Sequence, residues 1–244
     1  MNRLLIDIGN SRVKWAVAQD EHFLAPAQAV PLAKSEQLFA AWQALPGSPP
    51  AHVRMVSVID RPVVTDIKQW VKSQWGVVVE RVVASDNKRI VVAYEQTEQL
   101  GADRWLAMIG AQSRGLLPAC IIDCGSAITI DAVDLNGRHY GGLILPGLAA
   151  QKAGLRQIAS ALPVPDFSQP SPLLGRNSVD AVLSGHLHGT AAAIEGLVAR
   201  IRKETDLPLP AVLTGGDAAR LSVYFSETPP VLPELVLEGL AAIG

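Results

Sequence analysis

Two stretches of this chain repeat one pattern 116 residues apart, and this repeat constrains the fold more than any other feature. In residues 3–17 and again in residues 120–133, an apolar run ends in an aspartate, a glycine follows two positions later, and a short polar turn leads into a second apolar stretch. Aliphatic and β-branched residues favour strands, so each stretch is predicted to be a β-hairpin. A repeat at a fixed offset indicates two duplicated structural units. The matched residues are Asp7 with Asp123, Gly9 with Gly125, and Ala16-Val17 with Ala132-Val133.

The first turn, Gly9-Asn10-Ser11, is expected to bring several kinds of polar group close to the carboxylate of Asp7. Backbone N–H groups, a hydroxyl and the ammonium of Lys14 can gather there. Such donors bind phosphate oxygens, while a carboxylate is a suitable ligand for a divalent cation. The two predicted units are therefore expected to face one another across a cleft and to hold one phosphate chain.

Composition narrows the class of protein. The 244 residues allow one large domain or two small ones, and the apolar share of 49% is enough for a sizeable core. A net charge of −2 gives no indication of a nucleic-acid surface. No apolar run approaches the roughly 20 residues that a membrane span needs, and Asp7 interrupts the first run too early for a signal peptide. The two cysteines, Cys120 and Cys124, fall in or beside a predicted buried strand, which favours free thiols and a cytoplasmic protein.

Outside the hairpins, helical and strand patterns alternate, which is typical of an α/β fold. The domain boundary is predicted near Gly115, giving domains 1–115 and 116–244. Helices are predicted at residues 31–45, 61–75, 103–113, 148–161 and 233–243, with an amphipathic helical stretch at 190–203. Strands are predicted at 53–59 and 77–83, and strands that enter glycine-rich turns at 140–147 and 211–217.

The chain lacks the Gly-x-x-x-x-Gly-Lys-Ser/Thr and Gly-x-Gly-x-x-Gly motifs of Walker-type and Rossmann nucleotide sites. Its two acidic hairpins, followed by the turn Leu213-Thr214-Gly215-Gly216-Asp217, resemble instead the superfamily of acetate and sugar kinases, actin and heat-shock chaperones. The resemblance implies two duplicated ribonuclease-H-like (actin-like) domains with mixed sheets and an ATP cleft between them. The Gly-Gly turn would contact adenosine.

Five motifs in order carry a closer resemblance, to the type III pantothenate kinases, a family that includes proteins called Bvg accessory factors. The resemblance implies transfer of a phosphoryl group from ATP to the terminal hydroxyl of pantothenate, the first step of coenzyme A synthesis. It also implies a divalent cation such as Mg²⁺, a monovalent cation (K⁺ or NH₄⁺), a homodimer and a cytoplasmic location. The motifs are residues 7–15, 100–105, 123–127, 141–147 and 175–178.

Site residues follow from the same resemblance, motif by motif. Asp103 would be the proton acceptor, and Asp123 would bind potassium. Asp7 would also hold Mg²⁺ through water. The expected ATP contacts are Asp7, Ile8, Gly9, Asn10, Ser11, Arg12, Val13, Lys14 and Ser126. The expected pantothenate contacts are Tyr94, Gly101, Ala102, Asp103, Arg104 and Ser178.

Simpler interpretations stay open for several of these residues. Asp103 begins a predicted helix, where aspartate is a common N-cap, and both roles can coexist. Lys14 can be a solvated strand residue, and Trp105 is expected in the core. His186 and His188 resemble a metal pair, but no third ligand is evident, so ordinary helix residues are expected.

Other functions are also compatible with the fold. A catalytically silent ATP-binding regulator would keep the hairpins without kinase activity, although the presence of Asp103, Arg104 and Asp123 counts against it. A different small-molecule kinase and an actin-like structural protein are further alternatives. The short chain and the Leu-Gly-Ala-Asp-Arg motif at residues 100–104 count against a different small-molecule kinase. The absence of large insertions counts against an actin-like structural protein.

Overall fold

The chain divides into two compact units, each built around its own sheet. The computed structural model describes residues 1–85 and 89–243. The first unit comprises Met1–Leu116 together with the described residues from Glu234 onward, and the second comprises Leu117–Pro233. The predicted boundary near Gly115 therefore lies beside the observed division. Gly244, at the end of the second predicted domain, lies outside the described residues.

Within the described ranges the first unit has six strands and the second has four. The first six are β1 (Asn2–Ile8), β2 (Arg12–Gln19), β3 (His22–Phe23), β4 (Gln28–Pro31), β5 (His52–Ser57) and β6 (Val79–Arg81). The other four are β7 (Ala119–Cys124), β8 (Ala127–Val133), β9 (His139–Pro146) and β10 (Ala211–Thr214).

Helices flank both sheets. They are α1 (Glu36–Gln43), α2 (Pro62–Trp75), α3 (Ala102–Ser113), α4 (Leu148–Ile158), α5 (Ser178–Thr205), α6 (Ala218–Ser222) and α7 (Leu235–Ala242). Leu32–Lys34 and Thr97–Gln99 form short 3-10 helices. None of the helices in the described part of the chain combines the length and apolarity needed to cross a membrane.

The sheet of the first unit is mixed. Its strand order is β3-β2-β1-β5-β6, and β4 pairs with β2. The first hairpin, β1 and β2, is antiparallel, whereas β1 pairs with β5 and β5 pairs with β6 in parallel. Because β1 and β5 are parallel neighbours, their carboxyl ends lie at one edge of the sheet, and the polar turn that follows β1 lies at that edge.

An aromatic cluster fills the core between this sheet and its first two helices. Phe39 and Trp70 stack with ring centroids 5.3 Å apart, and Trp42 lies edge-on to Trp15 at 6.3 Å. Trp42 is 1% exposed and lies at the centre of this cluster. The first helix is shorter than the predicted 31–45, because Pro31 belongs to strand β4 and Leu32–Lys34 forms a separate 3-10 helix.

The C-terminal helix corrects the predicted domain assignment. The sequence placed residues 233–243 in the second domain, but α7 belongs to the first unit and packs on α3. Glycines permit this close approach. A Cβ on Gly110 would overlap the carbonyl oxygen of Leu235, and a Cβ on Gly239 would overlap that of Leu106. Helix α3, which carries Asp103 in its first turn, therefore packs closely against α7.

The second unit also has a mixed sheet, with strand order β10-β7-β8-β9. The second hairpin, β7 and β8, is antiparallel, as is the pair β8 and β9, whereas β10 pairs with β7 in parallel. The long helix α5 packs its apolar side, including Leu187, Ala191 and Ile194, into the core beside this sheet. Two mixed sheets with flanking helices confirm the predicted α/β fold class.

The two hairpins are duplicated, but their turns differ by one residue. In the first, Ile8 pairs with Val13 and four residues lie between them; in the second, Cys124 pairs with Ile128 and three residues lie between them. The offset between the hairpins is therefore 116 residues before the turn and 115 after it. The predicted match of Ala16-Val17 with Ala132-Val133 is wrong, because Ala16 pairs with Leu5 whereas Asp131 pairs with the corresponding Ile121.

Candidate active site

The turn of the first hairpin is exposed, and its backbone is held by hydrogen bonds. The amide of Gly9 donates to the carbonyl of Arg12 at 3.0 Å, and the carbonyl of Ser11 accepts from the amide of Leu32 at 2.9 Å. Asn10, Ser11 and Arg12 are all exposed to solvent. The turn can therefore present donors to an anion without losing its own backbone pairing.

The two charged residues that flank this turn lie directly opposite one another. Asp7 on β1 and Lys14 on β2 are cross-strand partners, so their side chains project from the same face of the sheet. Both are half-buried, whereas the side chains of Ile8 and Val13 are fully buried in the core. Of the predicted ATP contacts, Ile8 and Val13 can thus contribute only backbone groups.

The start of α3 places Asp103 and Arg104 side by side. Gly101 is the N-cap, so the interpretation of Asp103 as the N-cap is wrong: it is the second residue of the helix. The Oδ1 of Asp103 accepts a hydrogen bond from the amide of Arg104 at 2.9 Å. A carboxylate in the first turn also interacts favourably with the positive end of the helix dipole.

Gly101 leaves room for this carboxylate. A Cβ at Gly101 would lie 2.6 Å from the Oδ1 of Asp103, which is well inside van der Waals contact. The φ of −55° at Gly101 is one that any residue can adopt, so the constraint comes from the neighbouring side chain and not from the backbone.

Arg104 is buried and held by Tyr94. The guanidinium Nη1 donates to the phenol oxygen of Tyr94 at 3.0 Å, and its Cζ lies 5.7 Å from the centre of the tyrosine ring. Only 5% of Arg104 is exposed. The first unit thus brings together three of the predicted pantothenate contacts, Tyr94, Asp103 and Arg104. Trp105, which follows them, is 2% exposed and is a core residue, as predicted.

In the second unit, Asp123 lies at the end of β7, against the Gly-Gly turn after β10. Thr214 pairs with Asp123 across the sheet, and the amide of Asp217 donates to the carbonyl of Cys124 at 2.9 Å. Gly215 has a φ of +92°, and a Cβ there would overlap the Oδ1 of Asp123. The predicted potassium ligand and the predicted adenosine turn are therefore neighbours.

The turn of the second hairpin also lies against the start of α4. The amide of Gly147 donates to the carbonyl of Ser126 at 3.2 Å, and a Cβ on Gly147 would overlap the carbonyl of Gly125. Ser126 is exposed at this turn. Gly147 closes the glycine-rich motif at residues 141–147, although it is not among the site residues expected from the motifs.

Ser178, the remaining predicted pantothenate contact, is the exposed first residue of α5. The helix is capped by the residue before it, because the Asn177 side chain accepts from the amide of Asp180 at 3.0 Å. Ser178 belongs to the second unit, whereas Tyr94 and Arg104 belong to the first.

The other candidate ligands have structural contacts. His186 Nδ1 lies 2.7 Å from the carbonyl of Val182 in its own helix, and His188 packs edge-on to Tyr224 with ring centroids 4.7 Å apart. Over residues 1–85 and 89–243, no group of three or more His, Cys, Asp or Glu side chains could hold a metal ion.

Both cysteines are free and buried. Burial raises the pKa of Cys120 to about 11 and that of Cys124 still further, so neither thiol is a nucleophile near neutral pH.

Comparison with solved structures assigns the fold. A structure from Campylobacter jejuni described as a Baf-family transcriptional activator is 23% identical in sequence, has a TM-score of 0.59, and covers 97% of this chain and 94% of its own. The activator of 2-hydroxyisocaproyl-CoA dehydratase from Clostridium difficile, solved with bound ADPNP, is 12% identical with a TM-score of 0.58, covering 99% and 92%. With its two acidic hairpins, the chain has the fold of the actin-like ATPases and sugar kinases.

Comparison with sequences gives the particular family. The profile of the type III pantothenate kinases matches residues 3–200. A type III pantothenate kinase from Dichelobacter nodosus is 33% identical over 243 residues, which are 98% of this chain and 96% of the relative. One from Laribacter hongkongensis is 35% identical over 241 residues, with the same coverage. The chain belongs to the type III pantothenate kinase family, and the resemblance noted from its motifs is confirmed.

Proposed function

We propose that this protein transfers the γ-phosphoryl group of ATP to the terminal hydroxyl of pantothenate, giving 4'-phosphopantothenate for coenzyme A synthesis. Membership of the kinase family supports the reaction. The observation that carries the assignment to this chain is the cluster at the start of α3, where the Asp103 carboxylate accepts from the Arg104 amide and the buried Arg104 guanidinium donates to Tyr94. Pantothenate has a hydroxyl at one end and a carboxylate at the other. Asp103 would act on the hydroxyl, and the guanidinium of Arg104 would bind the carboxylate.

Asp103 is the proposed proton acceptor. The hydroxyl oxygen of pantothenate forms the new bond to the γ-phosphorus, the bond from that phosphorus to the bridging oxygen breaks, and ADP leaves. The hydroxyl proton passes to the Asp103 carboxylate and then to solvent. Since such transition states are loose, the proton can leave late, and a weak base positioned on the hydroxyl suffices.

Arg104 is proposed to bind the carboxylate of pantothenate. A guanidinium can pair with a carboxylate through two parallel hydrogen bonds, and Tyr94 already fixes the orientation of this one. Tyr94, Gly101, Ala102 and Ser178 would complete the substrate contacts.

The two hairpins are the proposed ATP contacts. Residues 7–14 would bind the phosphates through backbone amides, the Ser11 hydroxyl and the Lys14 ammonium, and Ser126 would add a contact from the second hairpin. Asp7 would hold Mg²⁺ through water. Mg²⁺ commonly binds one or two carboxylates, water and substrate phosphates, so a single protein carboxylate can suffice. When bound, the cation would neutralise charge on the phosphates.

Asp123 is the proposed ligand for K⁺ or NH₄⁺. Asp123 is the last residue but one of the buried strand β7, and its carboxylate lies against the backbone at Gly215. A charge in such a place is costly unless a cation or hydrogen-bond donors compensate it.

The protein is also proposed to be a homodimer. Edge strand β9 exposes apolar side chains, with Ile144 66% exposed, and in the following helix α4 only Leu148 is buried while Ile158 is 85% exposed. A second copy would cover this apolar surface. Light scattering at micromolar concentration should give the mass of a dimer, and the mass of a monomer would contradict this part of the proposal.

The proposed location is the cytoplasm, where ATP is supplied and thiols stay reduced. Both cysteines are free, which agrees with that compartment.

Steady-state release of ADP, measured with and without pantothenate, tests the proposed function. Release that depends on pantothenate is the expected result. Release that is independent of pantothenate would indicate an ATPase or another acceptor, and no release would favour the catalytically silent regulator.

A further inference from the structure

Glu234 stands at the point where the chain returns to the first unit, immediately before α7. Its Oε2 is buried and accepts no hydrogen bond from any residue in the described ranges. The Nζ of Lys14 lies 3.8 Å from this oxygen, close enough for an ion pair but too far for a hydrogen bond. Nothing in the sequence motifs pointed to Glu234.

This contact adds a second carboxylate beside Lys14. Asp7 lies opposite Lys14 in the hairpin, and Glu234 approaches from α7. The Lys14 side chain is only 19% exposed. Its ammonium group is therefore confined by packing and by negative charge contributed by two different elements.

We propose that Glu234 is a positioning residue for Lys14, which it holds ready to receive the phosphates of the nucleotide. This inference rests on the proposed ATP-binding role of Lys14. A lysine side chain has a flexible four-carbon stem, and ordering it on binding costs conformational entropy. The ion pair with Glu234 limits the positions of the ammonium group before the nucleotide binds, so less of that entropy is lost on binding.

The test is Glu234→Gln, which keeps the size of the side chain and removes its charge. The dissociation constant of a non-hydrolysable ATP analogue, and KM for ATP, should rise about fivefold, or about 1 kcal/mol at 1.4 kcal/mol per factor of ten. KM for pantothenate and the melting temperature should change little. Glu238→Gln is the matched control, since Glu238 lies in α7, four residues after Glu234, but pairs with Arg114, and it should leave nucleotide binding unchanged.

A double-mutant cycle separates positioning from a structural effect. In the Lys14→Met background, Glu234→Gln should change nucleotide affinity less than about 1.5-fold, because its partner is already gone. An undiminished effect in that background would overturn the proposal, as would unchanged or tighter nucleotide binding in the single variant. If the wild-type protein binds no nucleotide, the ATP site itself is refuted; if it binds nucleotide but Glu234→Gln has no effect, only the positioning role is.

Discussion

Gly101→Ala should impair catalysis by displacing the carboxylate of Asp103. The new Cβ would lie 2.6 Å from Oδ1, whereas ordinary van der Waals contacts begin at 3.4 Å. The carboxylate must then move by about 0.8 Å or rotate away, and a misplacement of about 1 Å at a reacting group can cost about 100-fold in rate. We expect kcat to fall by about 10- to 100-fold.

Stability should change much less than activity. The backbone of Gly101 already has a φ that alanine adopts freely, and alanine in place of glycine at an N-cap should cost no more than about 1 kcal/mol. Steady-state kinetics and thermal unfolding on the same samples would separate the two effects. Gly196→Ala is the matched control, because Gly196 lies in α5 with open space around its Cβ position, and activity should be unaffected.

A second background decides whether the loss comes through Asp103. If Gly101→Ala acts by displacing the carboxylate, it should have little further effect on kcat in Asp103→Asn, where no base remains. A normal kcat in Gly101→Ala would contradict displacement of the carboxylate as the mechanism. So would a loss of the same size in both backgrounds.

Four further outcomes are expected. Asp103→Asn should lower kcat by about 10²- to 10⁴-fold with little change in KM for pantothenate, whereas Arg104→Ala should mainly raise that KM; steady-state kinetics that show the reverse split would contradict the assigned roles. Replacing K⁺ with tetramethylammonium at constant ionic strength should suppress turnover, and equal rates in both salts would exclude a monovalent cation. Gly239→Ala should destabilise the protein by about 1–3 kcal/mol in denaturant unfolding, because its Cβ would overlap a backbone carbonyl of α3; an unchanged midpoint would contradict that packing. Burial raises the pKa of Cys120 to about 11, so the thiol of the unfolded chain loses its proton at a lower pH than that of the folded protein. The free energy of unfolding should therefore fall as the pH rises from about 9 towards 11. In Cys120→Ala this fall should be smaller.

Local sequence patterns were sufficient where neighbours in the chain determine the structure. The hairpins around Asp7 and Asp123 were predicted because each apolar run, its turn and the following strand lie within about fifteen residues. The start of α3 was predicted equally well, since the apolar periodicity from Trp105 onward indicates a helix. That prediction placed both Asp103 and Arg104 in the first turn of the helix.

Contacts between distant parts of the chain could not be predicted in this way. Helix α7 joins the first unit because Gly110 and Gly239 let two helices approach closely, and a glycine in a helical pattern does not name its partner. The same holds for Glu234, which reaches Lys14 across 220 positions of the chain. The one-residue difference between the two turns was hidden because an alternating apolar pattern on its own does not define strand register.

Whether this chain phosphorylates pantothenate is decided by identifying the product of the reaction. The protein should be incubated with ATP, Mg²⁺, K⁺ and pantothenate, and the mixture analysed by mass spectrometry and phosphorus NMR. The expected products are 4'-phosphopantothenate and ADP in equal amounts, with the phosphate on the terminal hydroxyl. Consumption of ATP without phosphopantothenate, or ATP left intact while the nucleotide is bound, would contradict it.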